Sequence, residues 1–192
     1  MNTTMGRMVV ALYNETPVHR DAFLRSVRER YYDSTLIHRA IPEFLIQGGD
    51  PTSRTAEPGA PLGNGGPEQT LPAEPHPRLH PVKGALAAVP ATTEPAADQT
   101  HGSQFFFVVG RTYNATDLDR LAARRKDTEA PFTPEAVEAY TTVGGLPHMD
   151  GHYTVFGEVL EGLEVLDLIA NTPCNQQDRP ITDVRIWMRE LP

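Results

Sequence analysis

The chain has 192 residues, enough for one domain with a substantial core and too few to demand two. Lys and Arg number 17 against 25 Asp and Glu, a formal net charge of −8, so no nucleic-acid partner is expected, because phosphate binding needs clustered cations; the acidity serves solubility. One cysteine, Cys174, rules out an intrachain disulfide, and no apolar run approaches transmembrane length, so no membrane insertion is expected.

The first residues, Met1-Asn2-Thr3-Thr4-Met5-Gly6, lack the basic and apolar regions of a signal peptide. With the single cysteine this points to the cytoplasm; the alternative, a periplasmic or secreted protein, holds if a signal peptide has been removed. Met8 to Tyr13 reads as a first strand, apolar on both faces. Thr16-Pro17 opens a helix as N-cap and first helical residue, with Val18, Ala22, Phe23 and Val27 as its apolar stripe.

Leu36 to Ile41 and Phe44 to Gln47 read as two strands, split by Pro42-Glu43 and closed by Gly48-Gly49-Asp50-Pro51. Alternation puts Arg39 with Ile41 on one face and His38 with Ala40 on the other. An arginine among apolar residues on a sheet needs a partner or a purpose. His38 is expected to be a satisfied core histidine. Thr52 to Pro81 is a long, ordered surface excursion, with Gly63-Asn64-Gly65-Gly66-Pro67 as a tight turn. His76 and His80 stand four apart, but the prolines beside them forbid the regular helix a metal pair would use, and no metal is expected.

Val82 to Val89 is a strand ended by Pro90, and Ala91 to His101 a polar loop. In the buried strand Gln104 to Val109, the residues Gln104, Phe106 and Val108 face one way and Phe105, Phe107 and Val109 the other. Tyr113 to Gly145 holds two short helices. The first starts at Thr116-Asp117-Leu118-Asp119 and closes at Arg124, Arg125 and Lys126; the second starts at Thr133-Pro134, with Val137 and Tyr140 inward. Asp150-Gly151 makes a hairpin turn, Tyr153 to Leu160 a strand, Leu163 to Asn171 a helix and Val184 to Met188 a last strand. Seven or eight short strands with two helices near opposite ends of the chain suit a mainly β fold: a closed antiparallel barrel whose ends need covers.

Three blocks are specific. His38-Arg39-Ala40-Ile41-Pro42-Glu43-Phe44-Leu45-Ile46-Gln47-Gly48-Gly49-Asp50, Gly102-Ser103-Gln104-Phe105-Phe106-Phe107-Val108 and Met149-Asp150-Gly151-His152-Tyr153-Thr154-Val155-Phe156-Gly157 resemble, in order, the signatures of the cyclophilins, the cyclosporin-binding peptidyl-prolyl cis-trans isomerases. The resemblance implies an eight-stranded barrel capped by two helices, spanning residues 1–192 as one domain, with 113–145 as a helical insertion that common members lack. It implies an isomerase that assists protein folding, with proline-containing peptides and unfolded or partly folded proteins as partners. A monomer without cofactor is expected.

Rotation about an X-Pro bond meets a barrier of about 20 kcal/mol, because amide resonance must be broken. Catalysis needs a pocket for the ring and a donor aimed at the prolyl nitrogen as it pyramidalises. Arg39, permanently charged with a flat fork of donors, suits that role. Phe44, Leu45, Phe106 and Met149 suit the pocket, and Gln47 and Gln104 suit polar contacts. The resemblance gives the same positions the same roles. It also marks departures: Val89-Pro90-Ala91 stands where the family usually has Ala-Asn-Ala, His148 where many members have tryptophan, and Tyr153 where many have histidine. The first two weaken the expected cyclosporin binding. The alternative function is a proline-peptide binding module with little turnover; a metal or redox enzyme has no residue pattern to support it.

Overall fold

The computed structural model describes residues 1–92, 98–125 and 132–191. Two short strands, β1 (Asn2–Thr3) and β2 (Gly6–Arg7), form a tight antiparallel pair and lead through Met8 into β3 (Val9–Leu12). Helix α1 (Pro17–Arg28) follows, then β4 (Thr35–Ile37), β5 (Arg39–Ile41) and β6 (Leu45–Gly48). The excursion after β6 is ordered by a 3-10 turn at Pro51–Thr55 and a two-residue strand, β7 (Leu71–Pro72). Strands β8 (Ala85–Pro90) and β9 (Gln99–Val108) precede helices α2 (Ala115–Ala122) and α3 (Pro134–Thr142). A 3-10 turn at Pro147–Met149, strand β10 (Val155–Glu161), helix α4 (Leu163–Ala170) and strand β11 (Val184–Trp187) complete the order.

Among the described residues the fold is mainly β with four helices, and the ladders do not close. One sheet runs β2-β1-β11-β4; the other runs β3-β10-β8-β9-β6-β5, with β7 on the side of β9. The chain crosses between them at Met8 and at His38. There the long Leu36–Ile41 strand expected from sequence breaks in two: Leu36 pairs with Arg185 of β11, Arg39 with Gln47 of β6. A bend at His38 lets one stretch serve both sheets, and the expected closed barrel is replaced by two open sheets meeting at corners.

Two of the three apolar clusters follow from β9. Phe105, Phe107 and Val109 join Ile37, Ile46, Leu166 and Ile186 in the main core between the sheets and helices α1 and α4. Phe106 and Val108, on the other face as their alternation requires, join Leu45, Ala87, Leu146, Met149 and Val155. Leu118, Ala136 and Tyr140 join α2 to α3.

Several local expectations change. On α1, His19 and Val27 are buried while Val18 is 38% exposed. His19 is tolerated inside because Glu74 and Thr100 satisfy its ring nitrogens at 2.6 and 2.7 Å. Thr16 is the N-cap by position only; the Glu74 carboxylate accepts from the backbone N–H groups of Val18 and His19 instead. Helix α2 is capped by Asn114, two residues before the expected start. Asp150-Gly151 does not close a hairpin but continues the turn that begins at Pro147. The polar stretch Ala91 to His101 joins β9 from Gln99 onward; residues 93–97, and Lys126 at the expected end of α2, lie outside the described residues.

Candidate active site

Strand register assembles one row across the larger sheet. Arg39 pairs with Gln47, Gln47 with Phe106, Phe106 with Ala87 and Ala87 with Val155. Directly paired residues project from the same face, so the cation, the amide and the aromatic ring stand side by side. They came from three strands by alternation alone.

The apolar part lies beside this row. Leu45, Phe106 and Met149 are buried, with Phe44, Val89 and Tyr153 packed against them. Phe106 meets Tyr153 edge-on at 5.9 Å, and Phe44 stacks on His148 at 6.2 Å. Phe44 is aimed by the turn before it: Glu43 adopts a positive φ of 57°, and the Phe44 carbonyl accepts from Val109 and Gly110. Pro90 lies opposite Thr100, past a bulge in β8, outside the apolar cluster. Burial lowers the pKa of His148 and raises that of Tyr153, so both rings are neutral near pH 7.

Arg39 is not committed to the core. Its side chain is 40% exposed, its guanidinium carbon lies 5.9 Å from the centre of the Phe44 ring, and its Nε is 3.5 Å from Asp178. Asp178 comes from a loop 139 residues away and also accepts the Ala40 N–H through its backbone carbonyl. Nothing local in the sequence marks it as a neighbour of Arg39.

The two glutamines are tied to each other and to the glycine turn. Gln104 is 2% exposed and its amide is fully engaged: it donates to the carbonyls of Gly63 and Gly65 at 2.8 and 2.9 Å and accepts from Gln47 at 2.9 Å. The glycine turn is held in turn by the buried carboxylate of Asp50, which accepts from Gly63, Gly65 and Thr52. Those hydrogen bonds lower the Asp50 pKa against the opposing effect of burial. A strut thus runs from Asp50 through the turn and Gln104 to Gln47. Gly48-Gly49-Asp50-Pro51 reads in sequence as a strand terminator, which hid the carboxylate's role.

His38 is buried but not satisfied. Neither ring nitrogen has a hydrogen-bond partner among the described residues, and burial pushes its pKa down to about 4. His80 pairs with Asp150 at 3.1 Å, and among the described residues no three His, Cys, Asp or Glu side chains gather as a metal site. No described helix is long and apolar enough to cross a membrane.

On one face of the larger sheet an apolar cluster thus lies beside a partly exposed guanidinium. Comparison with known proteins identifies the class. The family described as "Cyclophilin type peptidyl-prolyl cis-trans isomerase/CLD" matches residues 1–190. A Staphylococcus epidermidis protein named "Putative peptidyl-prolyl cis-trans isomerase" is 34% identical over 187 residues, covering 97% of this chain and 87% of that protein. A Streptococcus pyogenes protein named a bifunctional phosphatase and isomerase is 34% identical over 198 residues; this chain spans 38% of its length. The crystal structure of a Cryptosporidium parvum cyclophilin, obtained in the presence of the dipeptide Ala-Pro, superposes with a TM-score of 0.66 at 25% identity, covering 96% of this chain and 91% of that one. The chain belongs to the cyclophilin-type peptidyl-prolyl cis-trans isomerases, a family of enzymes.

Proposed function

We propose that this chain accelerates rotation about X-Pro peptide bonds in peptides and partly folded proteins, with Arg39 as the donor to the prolyl nitrogen. The proline ring enters against Phe106, Leu45 and Met149, with Phe44, His148, Tyr153 and Val89 as rim, and Pro90 at the margin. As the bond twists, the nitrogen loses conjugation and its lone pair becomes an acceptor. A guanidinium hydrogen bond formed only then lowers the barrier without tightening ground-state binding. Gln47 grips the backbone of the substrate with the donor that Gln104 leaves free; Gln104 itself holds Gln47. The residues act on the peptide without a cofactor.

The observation that carries this reading is the position of Arg39. It stands in the Gln47–Phe106 row, half exposed, with one long contact to an exposed carboxylate. A cation kept for structure is buried with short, paired hydrogen bonds, as Arg179 is here with Glu57, Ala60 and Asp183. A binding module with little turnover has no use for a permanently charged donor at that place. We read residues 1–192 as one domain with 113–145 inserted, acting as a monomer, and cyclosporin as a weak ligand.

The test is cis-to-trans isomerisation of a short proline peptide by the parent and by Arg39→Ala. The parent should accelerate the reaction, and the variant should lose about two to three orders of magnitude in kcat/KM. Its stability should change by less than about 1 kcal/mol, because an exposed ion pair contributes little. An Arg39→Ala protein as active as the parent overturns the mechanism; a parent that binds the peptide without turnover supports the binding module.

A further inference from the structure

The turn that carries His148 and Met149 is anchored at both ends, and the two anchors differ. At its front, Leu146 donates its N–H to Pro81 at 2.8 Å, and Gly145 bridges to Val82 and Arg111. At its back stands Asp150, only 6% exposed, whose N–H closes the turn onto Pro147. Its carboxylate accepts from the Tyr140 hydroxyl at 2.9 Å and faces Nδ1 of His80 at 3.1 Å. Tyr140 belongs to α3 and is 0% exposed. Its ring packs so closely on Gly145 that a Cβ there would lie 2.9 Å from it. The side chains of Tyr140 and His80, from two separate segments, therefore converge on one buried carboxylate, one residue after Met149.

We propose that Tyr140, Asp150 and His80 are positioning residues for the Pro147–Met149 wall of the proline pocket, through which helix α3 governs which peptides fit. This rests on the reading of that pocket as the isomerase site. A buried carboxylate without partners is costly, so Asp150 stays where Tyr140 and His80 both reach it. That fixes the depth of Met149 in the pocket and the height at which His148 stacks on Phe44. The contacts of α2 with the same turn brace it from outside.

The unit is also sensitive to pH. His80 faces Asp150 directly and Glu135 at the start of α3; Tyr140 faces Arg125 and Tyr113 as well as Asp150. The hydrogen bond with Asp150 is the largest influence on His80 and raises its pKa above 6.5, against desolvation. The charged pair is therefore complete below pH 6.5 and is lost as the pH rises through the raised value. Above it the ionic part of the His80 contact is gone, and the back of the wall depends mainly on the Tyr140 hydrogen bond.

The experiment measures KM and kcat for a panel of X-Pro peptides across this pH range in the parent, Tyr140→Phe, Asp150→Asn and His80→Gln, together with the Met149 methyl signal by NMR. Tyr140→Phe keeps the ring and its packing, so it folds even if Asp150→Asn does not. The expected result is a KM raised by about tenfold in Tyr140→Phe and Asp150→Asn, with kcat changed far less. The double variant should be no worse than the poorer single one. The parent's Met149 signal should shift with the His80 titration, and that shift should vanish in His80→Gln and Asp150→Asn. Folded variants with unaltered KM and an unaltered Met149 titration overturn the proposal. A parent without isomerase activity defeats the reading of the site instead, and the Met149 signal alone then decides whether the unit holds the wall.

Discussion

Replacing Gln104 with leucine separates the strut from a direct substrate contact. The change keeps the side chain's size and removes three hydrogen bonds, two to the glycine turn and one from Gln47. At about 1 kcal/mol net for each, the loss is about 3 kcal/mol. For a chain of this size each kcal/mol moves the melting temperature by about 2–4 °C, so Gln104→Leu should melt about 6–12 °C lower. Gln47, released from Gln104, should no longer hold its orientation beside Arg39, and kcat/KM should fall by about tenfold. The assays are calorimetric or circular-dichroism melting and the proline-peptide isomerisation rate. If Gln104 instead touches substrate directly, KM rises while the melting temperature moves by less than about 2 °C; that pattern refutes the strut.

Three further outcomes follow from named contacts. Stability should fall as the pH drops from 6.5 toward 4, because His38 must take up a proton in the unfolded chain that its buried site resists; at about 1.4 kcal/mol per pH unit this amounts to about 3 kcal/mol. His38→Leu should flatten that part of the melting-temperature profile, and an unchanged slope assigns it to other groups. His148→Trp should strengthen cyclosporin inhibition by about ten- to hundredfold, from about 50–100 Å² of added apolar contact; an unchanged inhibition constant removes His148 from the binding surface. Replacing residues 113–145 with a short Gly-Ser link should alter the order of preference among proline peptides while activity still depends on Arg39, and identical preferences would show that the insertion serves another purpose.

Much of the arrangement around Arg39 was legible because it depends on alternation and proximity along the chain. Arg39, Leu45 and Gln47 lie within nine residues, and the period of two across the turn puts them on one face; alternation sets Phe44 with Ile46, yet it packs against the Leu45 cluster because it still belongs to the turn after Glu43. The same rule separated Phe106 from Phe105 and Phe107 before any contact was known. Helix starts marked by proline were legible too, since Pro17 and Pro134 stand at first helical positions. What alternation cannot reveal is which distant groups satisfy a polar side chain. Val18 looked like the inward residue of α1 because it is apolar; His19 takes that place only because Glu74 and Thr100, 55 and 81 residues away, complete its hydrogen bonds. Gln104 reads in sequence as a polar contact; that Gly63 and Gly65 engage its amide is visible only in the tertiary structure. Asp178 beside Arg39 and Tyr140 beside Asp150 are likewise products of tertiary approach. The closed ring of strands failed for a related reason. Strand count and length are local, whereas closure depends on how sharply the chain bends at Met8 and His38, and those bends are set by the two sheets packing against one shared core. The sequence by itself determined where most strands run and which faces β9 presents; the tertiary structure decided which polar groups satisfy one another, as Gln104 does with Gln47, and which, like Arg39, keep a partly exposed side chain.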